Sequence, residues 1–327
     1  MSKAPSRWWP FIKLLPVKTN FRFMRFAKVY MALSLVATLA AVFLTLYPLT
    51  PPCGGLNCGV DFRGGTVLEL TTKTPADLGV VRETLSARDL GDVQVQAFGS
   101  ATDVLVRFET PEGQNPAVAV EGAKQALTKA LGPGPVEFKR TEVVGPKVSG
   151  ELFQNGVLAL ALGILMMMAY IWFRFGLTFG VGAAAALLHD VLLTFGLFAV
   201  TGMEFSLNTV AAILTIIGYS VNDTVVVLDR VRENLRKYKR MSIGEVIDLS
   251  INETLSRTAI TGVTGLMALG VLAAFGGDAL FGFSIAMIFG IVVGTYSSFF
   301  VAAPVLMWLG VKRGEEAEVL KPVDARP

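Results

Sequence analysis

The chain has 327 residues, 53% of them hydrophobic and only 17% charged, with a mean hydropathy of +0.57. That balance excludes an ordinary soluble domain of this length and points to a protein of the bilayer. The formal net charge of +3 is small, so the placing of the charges informs more than their sum.

Several runs reach or approach the ~20 apolar residues that cross a bilayer. Six spans are expected, at 27–48, 152–173, 177–201, 206–229, 257–276 and 281–310. The first follows a basic stretch. Its apolar run is too long for a signal-peptide core and no small-residue cleavage site follows Tyr47, so it reads as a retained anchor. The last is long enough to tilt, or to break near Gly290 and Gly294.

The arm 1–26 and the start of the first span carry Lys3, Arg7, Lys13, Lys18, Arg22, Arg25 and Lys28 without an acid. After the fourth span come Arg230, Arg232, Arg236, Lys237, Lys239 and Arg240, in a polar connector over 230–255. The short loops on the opposite side carry Glu204 and Asp278. The positive-inside rule then places both termini in the cytoplasm and the segment 49–151 outside it. The basic runs read as topology and contact with the lipid bilayer. They lack the interleaved aromatics of a nucleic-acid reader, so no nucleic acid is expected.

Cys53 and Cys58 follow the first span in a Gly-rich loop. Their spacing permits a disulfide without requiring one, and the single His in the chain argues against a zinc centre. The soluble stretch then reads strand, helix, strand, strand, helix, strand. The strands are near Val67–Thr71, Asp92–Phe98, Thr102–Phe108 and Val136–Val144. One helix starts at Thr74-Pro75-Ala76-Asp77 with Thr74 as cap, and turns Leu78, Val81 and Leu85 to one face. The other opens at Asn115-Pro116 and carries Val120, Ala123, Leu127 and Leu131. Gly99-Ser100 turns the hairpin. The order βαββαβ is that of a ferredoxin-like α/β domain. A tail over 311–327 closes the chain.

The chemistry is expected inside the membrane. Asp223 interrupts the fourth span, where an ionised group costs about 2.5–3.5 kcal/mol even on insertion scales. Ser220 and Thr224 neighbour it on the helix, with Asn222 beside it. Arg257, Thr261 and Thr264 form a stripe on the fifth span at a matching depth, so Asp223 and Arg257 can pair. A carboxylate whose proton affinity depends on a movable Arg is a proton switch; a static pair that fixes helix packing is the alternative. In the third span, His189 and Asp190 are adjacent and point in different directions, so they are not expected to share one small site. Asp190 suits a proton path, and His189 a structural hydrogen bond. Gly176 with Gly180, and Gly290 with Gly294, fit small-residue helix packing. Met166-Met167-Met168 reads as lipid-facing or as filling. Catalysis is not expected: Gly-x-Gly-Asp, Gly-x-Ser-x-Gly and the phosphate-cradling Gly-x4-Gly-Lys are absent.

Several motifs coincide: Val60-Asp61-Phe62-Arg63-Gly64-Gly65-Thr66, His189-Asp190, Ile217 to Thr224 followed by Asp229 to Asn234, Asn252 to Thr258, and Gly294-Thr295-Tyr296-Ser297-Ser298. Together they resemble the SecF family, the smaller partners in SecD–SecF complexes, within the resistance-nodulation-division superfamily. The resemblance runs from the first span to about Leu309. The long amino-terminal arm and the Cys53–Cys58 pair fall outside the family pattern.

The resemblance implies an α-helical polytopic inner-membrane protein with six transmembrane helices. It implies a pseudo-symmetric bundle with SecD, action at the SecYEG channel with YajC as an accessory, and a translocating preprotein as cargo. It implies proton-motive force as the energy source, with no cofactor and no metal. Asp223 becomes the proton-carrying carboxylate and Arg257 its partner. Asp61, Phe62, Arg63, Gly64 and Gly65 match a family signature that reads as structural. The runner-up is half of a proton-coupled exporter for a small molecule or lipid, and a structural scaffold is a third reading.

Overall fold

The computed structural model describes residues 19–49, 53–88, 90–91, 93–98, 100–109, 115–132 and 136–311. The basic arm before residue 19, the tail after 311 and the turn residue Gly99 lie outside the described residues. The chain forms two compact units. One comprises Leu49–Ala159 with Glu204–Leu207, and the other comprises Met1–Pro48, Leu160–Met203 and Asn208–Pro327.

In the first unit, the elements run α2 (Val60–Arg63), β1 (Gly65–Thr71), α3 (Leu78–Ser86), β2 (Gln94–Phe98), β3 (Ser100–Phe108), α4 (Pro116–Ala130) and β4 (Glu137–Val144). The strand order is β2-β3-β1-β4, and every neighbouring pair is antiparallel. That is the expected split-βαβ sheet. Leu68 and Leu70 of β1, and Val104, Val106 and Phe108 of β3, meet Val81 and Leu85 of α3 and Ala123 and Leu127 of α4 in one buried core. Each large side chain buried there is worth about 1.5–3 kcal/mol. On the other sheet face, Val67 and Leu105 pack with Val60.

One local feature differs from expectation, and two others are left open by the sequence. The cap of α3 is Asp77, whose carboxylate accepts from the N–H groups of Gly79 and Val80. A carboxylate at a helix start satisfies orphan donors and favours the dipole, so it outranks the earlier Thr74. Thr74 instead accepts from the Thr72 hydroxyl through its carbonyl. The signature residues Asp61, Phe62 and Arg63 form the one-turn α2, which is too short to show periodicity in sequence. Gly64 and Gly65 follow it with φ of +77° and +102°. A Cβ on Gly65 would lie 2.9 Å from the Phe108 carbonyl oxygen, so this pair must be glycine for backbone shape and space alike. Finally, Cys53 and Cys58 form a disulfide.

The described residues hold six helices long and apolar enough to cross a membrane. They are α1 (Ala27–Leu46, entered by a 3-10 turn at Phe23–Phe26), α5 (Pro146–Phe175), α6 (Leu177–Thr201), α7 (Leu207–Lys237), α8 (Ile243–Phe275), and α9 (Asp278–Ser297) with its continuation. The polar connector expected over 230–255 is built mostly from the ends of two helices. α7 continues to Lys237 and α8 already starts at Ile243, capped by Ser242 and Glu245 in a capping box. Hydropathy marks where a span turns polar, not where its helix stops. The last span does not break at Gly290 or Gly294; its helix continues through a π turn at Ser298–Ala302 into α10 (Ala303–Trp308).

Candidate functional site: polar groups buried within the helical bundle

α6 presents His189 and Asp190, which are 6% and 1% exposed. Contrary to expectation they share a site, with His189 Nδ1 lying 2.9 Å from Asp190 Oδ1. Each reacting atom sits only two bonds past its Cβ, so the two side chains can curl toward each other along the helix surface. Asp190 Oδ2 accepts from Ser220 Oγ of α7 at 2.5 Å and from Ser297 Oγ of α9 at 2.8 Å. The Ser297 hydroxyl also lies 3.1 Å from the Gly294 carbonyl oxygen, so its single hydrogen serves one acceptor at a time. The carboxylate therefore ties three helices together.

One turn along α7, Thr224 shares a 2.8 Å hydrogen bond with Ser298 of the π turn, and Ser298 also donates to the Gly294 carbonyl. A π turn widens the helix and is found often at functional positions. Here it re-aims Ser298 toward α7. The close approach rests on the glycines of α9. A Cβ on Gly294 would lie 3.0 Å from Ser220 Cβ, and one on Gly290 would collide with Ile216. Sequence spacing marked these glycines for packing. It did not mark Ser297 and Ser298 for the site, although both stand in the quoted motif.

Asp223 points another way. Its Oδ1 accepts from Thr258 Oγ1 of α8 at 2.6 Å. Its Oδ2 is buried and has no hydrogen-bond partner among the described residues. Arg257 is exposed and forms no ion pair within 4.0 Å of Asp223 among the described residues. The expected pairing is thus not made in this conformation, and the next residue of α8 takes its place. Thr261 donates to the Arg257 carbonyl and is itself exposed, as is Asn222. His189 Nε2 is likewise buried and unpartnered among the described residues.

Other polar residues in and beside the motifs link helices and chain segments to one another. Arg230 and Asn234 of α7 each donate to Glu253 Oε2 of α8 at 2.7 Å, and Asn234 also donates to Ser250. Asn252 grips the backbone of Phe21 through both amide atoms, while Asp248 accepts from Met24 N–H. The described residues hold no cluster of three metal-ligating side chains.

Six membrane-length helices, a small α/β domain between the first and second, and carboxylates held among the helices define a polytopic membrane transport protein. Comparison with known proteins narrows that class. The profile described as "Protein export membrane protein SecD/SecF, C-terminal" matches residues 123–312, and the "SecD/SecF GG Motif" matches 55–76, which contain Gly64 and Gly65. The Protein translocase subunit SecF of Rickettsia bellii (strain OSU 85-389) is 42% identical over 93% of this chain and 98% of its own. That of Rhodobacter capsulatus is 44% identical over 93% of each. The crystal structure of SecDF from Thermus thermophilus, a translocon-associated membrane protein, superposes with a TM-score of 0.79 at 32% identity. It covers 90% of this chain, and this chain spans 39% of that longer one. A second SecDF structure, in a super-membrane-facing form, gives 0.64. The chain belongs to the SecD/SecF family of protein export membrane proteins, as a SecF-type member.

Proposed function

We propose that this chain is the SecF half of a SecD–SecF assembly. It uses the proton-motive force to promote late steps of preprotein export through SecYEG, with YajC as an accessory. It sits in the bacterial inner membrane with both termini cytoplasmic and the α/β domain outside. It performs no catalysis and needs no cofactor, since the gradient supplies the energy. A small-molecule or lipid exporter is not favoured, because the family assignment covers nearly the whole chain.

The observation that carries this reading is the environment of Asp223. It is a carboxylate in a membrane-length helix, with one oxygen held by Thr258 and the other buried and unpartnered among the described residues. A buried acceptor with no donor is costly and is relieved by taking up a proton or gaining a partner. Arg257, one residue along α8 from Thr258, is the partner at hand. Alternation between a protonated Asp223 held by Thr258 and an ionised Asp223 joined to Arg257 makes a proton-driven switch. Asp190 is a second carboxylate on the route, linked to α7 through Ser220, with His189 as its hydrogen-bond partner.

The test is completion of preprotein export in vesicles containing SecD and SecYEG. Asp223→Asn should insert and assemble yet lose the gradient-dependent step. Normal gradient-dependent completion by that variant would remove Asp223 from the mechanism.

A further inference from the structure

α7 carries Ser220, Asp223 and Thr224, so whatever fixes α7 fixes the site. Its first residue, Leu207, is held from outside the helix. The Leu207 N–H donates to Asp61 Oδ2 at 2.9 Å. The three residues before it are built into the first unit. Phe205 N–H donates to the Asn57 carbonyl at 2.8 Å, and Gly59 N–H donates to the Phe205 carbonyl at 2.9 Å. Cys58 and Phe205 thereby form a parallel bridge. The Phe205 ring is 6% exposed and lies 5.8 Å from the ring of Phe62. Arg107 of β3 completes the arrangement. Its Nη1 donates to Asn57 Oδ1 at 3.2 Å, and its Nη2 lies 2.9 Å from Glu204 Oε2. A Cβ on Gly59 would collide with the Glu204 carboxylate, so this glycine admits it.

We propose that this clasp sets the register of α7, and that Asp61 is a positioning residue for the site around Asp223. A carboxylate at a helix start satisfies an orphan N–H and complements the helix dipole. α7 runs without interruption from Leu207 to Lys237. Asp223 lies 16 residues from Leu207, about 24 Å at 1.5 Å per residue, along a helix with no proline. Within five residues of that helix, Ser220, Asp223 and Thr224 hydrogen-bond to three different elements. A slip or turn at the start of α7 therefore breaks contacts at the carboxylates. Asp61 and the Gly64-Gly65 pair have separate tasks: the glycines shape the chain, and the carboxylate holds the helix.

The inference rests on the proposed role of Asp223, and its test separates the two. Wild type, Asp61→Ala, Asp61→Asn and Asp223→Asn are each assembled with SecD in vesicles. Amide hydrogen exchange is followed across 204–212, and proton flux is measured on the same samples. Asp61→Ala should speed exchange at the start of α7 by about fivefold, the scale of a lost N-cap, and should lower flux by at least a similar factor. Asp61→Asn, whose carboxamide oxygen still accepts, should restore both. If Asp61→Ala does not accumulate, Gly59→Ala, which displaces Glu204, is read by the same two measurements and should shift both in the same direction.

Unchanged exchange overturns the clasp. Faster exchange with undiminished flux overturns the positioning role. Equal loss of flux in Asp61→Asn and Asp61→Ala shows that charge, not the hydrogen bond, matters, and also overturns it. Undiminished flux in Asp223→Asn counts against the proton-carrier reading alone, while the exchange result still decides the clasp.

Discussion

Thr258 Oγ1 donates to Asp223 Oδ1 across 2.6 Å, and Arg257, one residue earlier on the same helix, is exposed. A one-residue step on a helix is a turn of about 100°. Exchanging the hydroxyl for the guanidinium therefore takes a rotation of α8 of that order, less what the long Arg side chain spans by itself. The two partners favour different states of the carboxylate: a hydroxyl suits either form, and an Arg suits only the ionised one.

Thr258→Val keeps the shape of the side chain and removes its donor. It should cut gradient-driven proton flux, since both oxygens of Asp223 then lack a partner in this conformation. Thr258→Ser should retain most of the flux. A lost hydrogen bond to a neutral carboxyl is worth about 0.5–1.5 kcal/mol. Flux in vesicles, compared at equal assembly with SecD, checks this.

Ser220 and Ser297 act on the same oxygen of Asp190. Ser220→Ala and Ser297→Ala should each destabilise the helical bundle by about 1–3 kcal/mol. The double variant should depart from the sum of the two, because the donors share one acceptor. Thermal unfolding of the four proteins in mild detergent gives the cycle.

Gly294 lies where a Cβ would stand 3.0 Å from Ser220 Cβ. Gly294→Leu should separate α9 from α7, at a cost of about 1–3 kcal/mol or more, and should break the Ser297–Asp190 and Ser298–Thr224 contacts. Gly282→Ala, at a position where an added Cβ meets nothing within 4 Å, is the control and should be near neutral. Detergent stability of the two variants distinguishes them.

In the α/β domain, the hydroxyls of Thr71 and Ser100 and the ammonium of Lys139 hold the Asp103 carboxyl down to about 2 from an ordinary 3.8. A carboxyl depressed in the folded state stabilises it above its unfolded value, and that contribution is lost as pH falls through the folded value. Protection of β3 amides should therefore decline between about pH 4 and pH 2. Asp103→Asn should flatten that decline and lower protection at neutral pH. Hydrogen exchange of the full-length protein, read at Val104–Arg107, decides it.

Much of this was legible in sequence. Apolar runs located the spans because a bilayer rewards length and composition directly. Alternation and caps gave the domain its strand order, with Asn115 capping α4 through Ala117 N–H as expected. What sequence hid depends on helical phase and on neighbours distant in the chain. Depth matching placed Asp223 beside the start of the fifth span and could not choose between Arg257 and Thr258. Ser297 reaches the site from the end of α9 and Ser298 from the π turn that follows, which no local pattern announces. The His189–Asp190 contact depends on rotamers, not spacing. The polar residues of the connector continue two long helices past their apolar spans, which hydropathy alone does not show.

The most direct measurement is proton flux through vesicles containing this chain and SecD under an imposed gradient, with Asp223→Asn alongside at matched assembly. Flux that vanishes in the variant is the predicted result. Flux equal to wild type would contradict Asp223 as the group that carries the proton.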